Sequence, residues 1–336
     1  MNKRSTYNDI ATRIFDFNIS AFETLAIDVF RFQHKNNSIY RQFAEAIKVD
    51  AEQVKALEQI PFLPVSFFKT HSIQSTSFNP QMTFESSGTT QAINSKHYVK
   101  DVSLYIQSFF RGFEQFYGDP GSYCIIGLLP SYLERRHSSL VMMVDELIRQ
   151  SRHAKSGFYL NEYDQLAGTL KELEGNGQKT MLIGVTFALL DFAEKYPMSL
   201  KHTIVMETGG MKGRKTEMTR QEVHTLLKQA FHLPYIHSEY GMTELLSQAY
   251  SKGDGIFYCP KWMKILLRNE DDPLEIISSR GINGRSGVIN IIDLANVYSC
   301  SFIATEDAGR LFADGSFEVL GRIDNSDIRG CSLMAV

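Results

Sequence analysis

The chain has 336 residues, 43% hydrophobic and 22% charged, with a formal net charge of -3. That balance argues against a nucleic-acid binder, and no apolar run is long enough for a membrane span. Its four scattered cysteines, Cys124, Cys259, Cys300 and Cys331, form no CxxC pair, and its polar start lacks a signal core, so reduced thiols and a cytoplasmic setting are expected.

Residues 1–80 read as a helical lead-in packed on the core. Phe22, Leu25, Ala26, Val29 and Phe30 recur at helical spacing, as do Phe43, Ala46 and Ile47. Asp50 is the expected N-cap of a further helix through Val54, Leu57 and Ile60. Two prolines, Pro61 and Pro64, then favour extended backbone through Lys69, in a stretch too apolar for a flexible linker.

Residues 81–250 read as an α/β core. It opens on Phe84-Glu85-Ser86-Ser87-Gly88-Thr89-Thr90-Gln91, whose hydroxyls and glycine suit a loop wrapped around an anion. The loop is expected to feed a helix N-terminus, where unpaired N–H groups bind phosphate. Val102, Tyr105, Ile106, Phe109, Phe110, Phe113 and Phe116 lie on one helical face and read as core. Strand Tyr123–Leu129, helix Leu140–Ile148, strands Met181–Val185 and Thr203–Met206 around helix Phe187–Tyr196, and helix Gln221–Phe231 follow. This alternation predicts a largely parallel sheet covered by helices. Residues 251–336 turn β-rich: strands Lys261–Leu267, Leu274–Ser278 and Val288–Ile292, then a hairpin turn at Ala313-Asp314-Gly315-Ser316 and a tail.

The chain contains no GxxxxGK[ST], HExxH or GxSxG. Four further clusters carry chemistry. Ser238-Glu239-Tyr240-Gly241-Met242-Thr243-Glu244, expected after a strand and opening a helical run, offers a ring for a base, a hydroxyl for phosphate and a carboxylate for Mg2+ beside polyphosphate. In Met206-Glu207-Thr208-Gly209-Gly210-Met211-Lys212, paired glycines let a flat ligand approach the backbone. Thr305-Glu306-Asp307-Ala308-Gly309 holds an acid suited to ribose hydroxyls, and Gly321-Arg322-Ile323-Asp324-Asn325 precedes Arg329-Gly330.

In this order the clusters resemble those of the adenylate-forming (acyl-CoA synthetase/ligase) superfamily, from the opening loop to the end of the chain. Within it the chain is similar to the acyl-protein synthetase (LuxE-like) family of bacterial fatty-acid reductase systems. The narrower likeness is carried by Ile60–Pro64, Phe67–Lys69, Leu129–Arg135, Ser238–Leu246 and Arg329–Leu333. The resemblance implies an adenylate-forming large-domain fold: mostly parallel helix-covered sheets, a helical N-terminal lead-in and a β-rich C-terminal part, with the mobile C-terminal domain absent.

It also implies roles. Ser86, Ser87, Gly88, Thr89 and Thr90 would hold the phosphates of ATP, and Gly209 and Gly210 would line the adenine pocket. Tyr240 would stack near adenine, Thr243 meet the α-phosphate, Glu244 bind Mg2+, Asp307 hold the ribose, and Arg322 sit near ribose or phosphate. Gln91 departs from the glycine that many adenylating enzymes carry, and Lys96 is out of their register. The absent adenylation lysine would be replaced by Lys212, Arg214 or Lys215. Cys331 would carry the acyl group as a thioester, since a thiolate is a good acceptor from a mixed anhydride. The implied reaction activates a carboxylic acid, in this family a fatty acid, as acyl adenylate, with an acyl-reductase or acyltransferase protein as partner. Transfer to coenzyme A or to a surface-sugar intermediate, and nucleotide binding without turnover, are the alternatives. Cys124, Cys259 and Cys300 read as structural, and so do His137 and His237, which lie near the motifs.

Overall fold

The stripe Phe22, Leu25, Ala26, Val29 and Phe30 forms the buried face of helix Phe22–Asn36. This helix opens the computed structural model, which describes residues 10–86, 93–130, 137–209, 218–277 and 283–323. The side chain of Asn37 then accepts from the N–H of Tyr40 at 3.0 Å and caps helix Ser38–Ala46. That helix buries Tyr40 and Ala44 rather than the expected Phe43 and Ala46.

The helix expected from Asp50 does not form. Asp50 Oδ1 accepts from Glu52 N–H at 3.0 Å, and Gln59 Oε1 accepts from Lys55 and Ala56 N–H at 2.8 and 3.2 Å. Side chains thus take donors that a helix would have used, leaving a single 3-10 turn at Leu57–Gln59. Val54, Leu57 and Ile60 are nonetheless buried. Past them the chain is extended, and β1 (Leu63–Pro64) pairs parallel with Ile303–Ala304 before the short helix Phe67–Thr70.

β2 (Met82–Glu85) and β3 (Lys96–Val99) form an antiparallel hairpin. The Ser/Thr/Gly loop therefore joins two strands instead of feeding a helix. The reason is the period-2 burial of His97 and Val99, which commits Lys96–Val99 to a strand. Helix Val102–Tyr117 begins only afterwards, and its N-terminus is capped by Asp101, whose Oδ1 accepts from Ser103 N–H at 2.9 Å.

β4 (Cys124–Leu128), β5 (Gly157–Tyr159), β6 (Thr180–Gly184), β7 (Thr203–Glu207) and β8 (His237–Tyr240) pair in parallel in the order β5-β4-β6-β7-β8. Crossover helices Ser139–Ser151, Tyr163–Gly175, Thr186–Lys195 and Arg220–Phe231 join them. β4 and β6 are buried along their whole length, which is why they are continuous apolar runs. The chain places β5 on one side of β4 and then returns to β6 on the other. Such a switch leaves a crevice at the carboxyl ends of the strands. β5 and helix Tyr163–Gly175 were not anticipated.

From β8 onward the same sheet turns antiparallel. β9 (Ala249–Ser251), β10 (Ile256–Tyr258), β11 (Met263–Arg268), β12 (Ile276–Ile277), β13 (Arg285–Asp293), β14 (Phe302–Leu311) and β15 (Phe317–Arg322) complete 13 strands among the described residues. The β14–β15 turn is the expected one: Gly315 takes φ 83°, and Asp314 Oδ1 accepts from Ser316 N–H at 3.0 Å. Gln33, buried in the lead-in, donates to the carbonyls of Asn296 and Val297 at 3.1 and 2.9 Å and binds the first helix to the strand-rich part. No helix among the described residues is long and apolar enough to cross a membrane.

Candidate functional site

The tyrosine-glycine motif lies at the carboxyl end of β8 and then turns, where a helix had been expected. Side chains alternate along a strand, so Ser238 and Tyr240 point to one face while Glu239 and Gly241 point to the other. Pairing with β9 carries this division across: Tyr240 lies opposite Ala249, and Glu239 opposite Tyr250.

On the first face Tyr240 is buried edge-on against Phe257 and Phe317. Its hydroxyl donates to Asp307 Oδ2 at 2.7 Å. Burial, then the Asp307 charge, push the phenol well above its ordinary range. Asp307 on β14 is the cross-strand partner of Arg322 on β15, and Arg322 Nε lies 3.5 Å from Asp307 Oδ1. The tyrosine-glycine motif and the two motifs of the β14–β15 hairpin thus meet as one hydroxyl, one carboxylate and one guanidinium.

The turn bearing Thr243 and Glu244 is held from behind by residues that sequence reasoning missed. His97 meets the Thr243 carbonyl with Nδ1 at 2.8 Å and Asn296 Oδ1 with Nε2 at 2.9 Å. Burial lowers His97 to about 4, against the two hydrogen bonds, which favour the protonated ring. Asn296 Nδ2 donates to the Glu244 and Cys300 carbonyls at 2.7 and 2.9 Å. Asp293 accepts from the N–H groups of Leu246 and Ser247 at 2.8 and 3.0 Å, and burial raises its carboxyl to about 6 despite those bonds. Glu244 is only 5% exposed; burial raises its pKa, against a hydrogen bond from Ser95 and the charges of Arg322 and Lys69.

The stem of the hydroxyl loop is pinned. Ser86 N–H donates to the Ser95 carbonyl at 3.1 Å, and Ser86 Oγ accepts from Ser95 N–H at 2.9 Å. At the end of β7, Gly209 takes φ 75°, and no atom of the described residues lies within 4 Å of a Cβ built there, as close approach of a flat ligand requires. Its N–H donates to the buried Glu207 Oε2 at 2.7 Å. Arg220 Nε lies 3.3 Å and His224 Nε2 3.6 Å from Glu207 Oε1. Burial would raise Glu207, but the bond from His224 and the charge of Arg220 outweigh it and hold the carboxyl to about 2.

On the second face a cleft of about 150 Å³ lies among the carboxyl ends of β7 and β8, β2 and the start of helix Ser139–Ser151. Glu239, Gln248, Tyr105, Ser139 and Thr243 contribute to its wall.

Ser87, Gly88, Thr89, Thr90, Gly210, Lys212, Arg214, Lys215 and Cys331 lie outside the described residues. His137 Nδ1 contacts the Thr83 carbonyl at 3.1 Å, and His237 Nδ1 lies 3.1 Å from the Tyr117 hydroxyl, so both brace neighbouring backbone or rings. The signal for Asp293 and Asn296 was present as polar residues inside the apolar run Val288–Val297, since a buried polar group needs partners.

A family model described as acyl-protein synthetase, LuxE, matches residues 16–335. Comparison with curated proteins finds no match. Among solved structures, an open conformation of 2-hydroxyisobutyryl-CoA ligase in complex with 2-HIB-AMP and CoA superposes with TM-score 0.65 at 12% identity, covering 94% of this chain and 72% of that one. ATP-bound MatB from Rhodopseudomonas palustris gives TM-score 0.53 at 14% identity, covering 74% and 50%. An ATP-bound RpMatB-BxBclM chimera gives 0.54 at 13%, covering 74% and 49%. The matched part spans about half the length of these two MatB-type chains. At such identities the likeness is one of fold: the mixed sheet and its helices are those of adenylate-forming ligases.

Proposed function

We propose, for a chain that belongs to the acyl-protein synthetase (LuxE) family, that it activates a carboxylic acid with ATP and passes the acyl group to a thiol. The observation that carries this reading is the convergence of Tyr240, Asp307 and Arg322 beside the clamped Thr243–Glu244 turn. Asp307 would receive ribose hydroxyls. Tyr240 and Arg322 hold that carboxylate in place, so it is oriented before a nucleotide arrives.

In the first step a carboxylate oxygen of the acid attacks the α-phosphorus of ATP. The bond from that phosphorus to the bridging oxygen breaks, and pyrophosphate leaves with its electron pair. Thr243 would donate to an α-phosphate oxygen, and the loop after Ser86 would receive the outgoing phosphates. The residues fit Mg2+ as one carboxylate shared with phosphate oxygens: Glu244 is buried and its pKa raised, and a cation would offset that burial. When bound, Mg2+ neutralises charge on the transferring phosphoryl group.

In the second step a thiolate attacks the acyl carbonyl, the bond to the phosphate oxygen breaks, and AMP leaves. Burial pushes the thiols of Cys124, Cys259 and Cys300 up, Cys300 to about 12, so each is a poor thiolate. The resemblance implies Cys331 in the acceptor role. The resemblance favours a fatty acid as substrate and a reductase or acyltransferase as the next acceptor.

Incubation with ATP, Mg2+ and a panel of acids is expected to release pyrophosphate. Labelled acid should become bound to protein through a hydroxylamine-sensitive bond, lost in Cys331→Ser while pyrophosphate release persists. Absence of pyrophosphate release with every acid of the panel, despite bound ATP, would overturn the reading.

A further inference from the structure

Resting on the adenylation reading above, we propose that Glu239, carrying a proton, receives the carboxylate of the acid substrate and donates to the oxygen that does not attack phosphorus. The place follows from Thr243, which lines the cleft on the second face of β8 together with Glu239, Gly241 and Gln248. An acid that attacks the α-phosphorus must come within about 3.5 Å of it. With Thr243 on the α-phosphate, the carboxylate belongs at this end of the cleft. It meets no cation there: the described wall holds no lysine, arginine or histidine. Glu85, which also lines the cleft, is already paired with Lys96 at 3.9 Å. Leu140, Met143 and Met242 supply apolar wall for the carbon chain of the acid.

Glu239 itself is half-buried in that wall. A Cβ at Gly241 would lie 2.3 Å from Glu239 Oε1 and 3.4 Å from Gln248 Cγ, so both side chains converge over this glycine. The titratable groups that face Glu239 are the Glu207 carboxylate on β7, Tyr250 on β9, and Tyr105 and Tyr117 on helix Val102–Tyr117. These are one negative charge and three phenols, with no cation among them to favour the ionised form. Two carboxylates brought together do not both stay charged; they share one proton. Burial and Glu207 raise Glu239 to about 8, whereas the substrate acid keeps an ordinary carboxyl value, so the proton stays on Glu239. The Gln248 amide is the second donor. It is 6% exposed, its Oε1 has no partner among the described residues, and turned over it presents Nε2 instead. Tyr250, the cross-strand partner of Glu239, adds a buried and unpartnered hydroxyl on the same face. No proton moves in the step. The free oxygen of the acid attacks phosphorus, pyrophosphate leaves, and the hydrogen bond from Glu239 passes to the acyl carbonyl.

The test is calorimetric titration of the full chain with hexanoate, decanoate and tetradecanoate, a non-hydrolysable ATP analogue being present, from about pH 6 to about pH 9.5. All three acids are ionised throughout this range. Affinity is expected to hold up to about pH 8 and then to fall about 10-fold for each further pH unit, as Glu239 loses its proton. Glu239→Gln keeps an uncharged donor and should abolish the fall. Glu239→Met removes the donor and should weaken binding about 10-fold at about pH 7. Groups that titrate elsewhere act alike on the native chain and on Glu239→Gln, and they cancel in the ratio of the two. Should neither variant fold, the pH profile of the native chain decides alone. A flat profile, a fall shared by Glu239→Gln, full affinity in Glu239→Met, or no binding of any of the three acids overturns the proposal. Binding is read without turnover. The expected profile without pyrophosphate release therefore refutes the adenylation reading alone, and pyrophosphate release with a flat profile refutes the role of Glu239 alone.

Discussion

The Tyr240 hydroxyl donates to Asp307 Oδ2 at 2.7 Å across residues 67 positions apart in the chain. It leaves Oδ1 to Arg322, at 3.5 Å, and fixes the carboxylate plane between β8 and β15. A hydrogen bond to a charged acceptor is stronger than one between neutral groups.

Tyr240→Phe removes this donor and keeps the ring against Phe257 and Phe317. We expect a stability loss of about 1–2 kcal/mol in urea unfolding, and a several-fold weaker nucleotide affinity in fluorescence titration. Asp307→Asn should weaken nucleotide more than Tyr240→Phe does. Equal affinity in the native chain and both variants would remove Asp307 from the ribose role.

The clamp behind Thr243 and Glu244 gives a different signature. Asn296→Ala strands the Glu244 and Cys300 carbonyls and the His97 ring in a buried place. A loss of about 3 kcal/mol is expected, visible as a lower urea midpoint. Since Asn296 acts through the turn, kcat for pyrophosphate release should fall more than KM for ATP rises. A drop in stability with unchanged kcat would make the clamp structural only.

How much of this was legible depends on the kind of signal. The stripe Phe22 to Phe30, the buried strands and the Ala313–Ser316 turn are local patterns, and each became the element it predicts. The Asp307–Arg322 pair was only half legible. Continuing the turn register of Leu311 with Phe317 would set Asp307 against Gly321, but a bulge at Ala308/Gly309 shifts the pairing by one and brings in Arg322. Helix Tyr163–Gly175 escaped because Gly168 and Gly175 and a polar outer face dilute its apolar period of Leu166, Ala167, Leu170 and Leu173. His97 and Asn296 are 199 residues apart, and no local pattern reports their contact.

Arg220 supports a buried carboxylate, which makes its removal expensive. Its side chain is 30% exposed, so Arg220→Met is expected to cost about 2 kcal/mol, less than for a fully buried pair. Glu207 is held to about 2, below its ordinary 4.5. Its contribution to stability is present above pH 4.5 and is lost as the pH falls toward 2. Without Arg220 the folded-state value rises, so acid unfolding followed by circular dichroism should begin at a higher pH. An unmoved acid transition would leave His224 as the dominant partner.

Glu239 works in the opposite sense. Burial and the charge of Glu207 raise it from 4.5 to about 8, so the folded chain binds a proton that the unfolded chain has released. Stability from this group is full below pH 4.5 and is lost as the pH rises toward and past 8. Glu239→Gln preserves shape and neutrality and removes the titration. The native chain should therefore lose melting temperature relative to the variant between pH 5 and pH 9, with the gap widening as pH rises. Asp293, raised to about 6, and His97 and His237, lowered to about 4, titrate in both chains and cancel in the difference. A constant gap across that range would mean that Glu239 is ionised in the folded protein. It would then stand as a fixed negative charge in the cleft, repelling the carboxylate of any acid that enters.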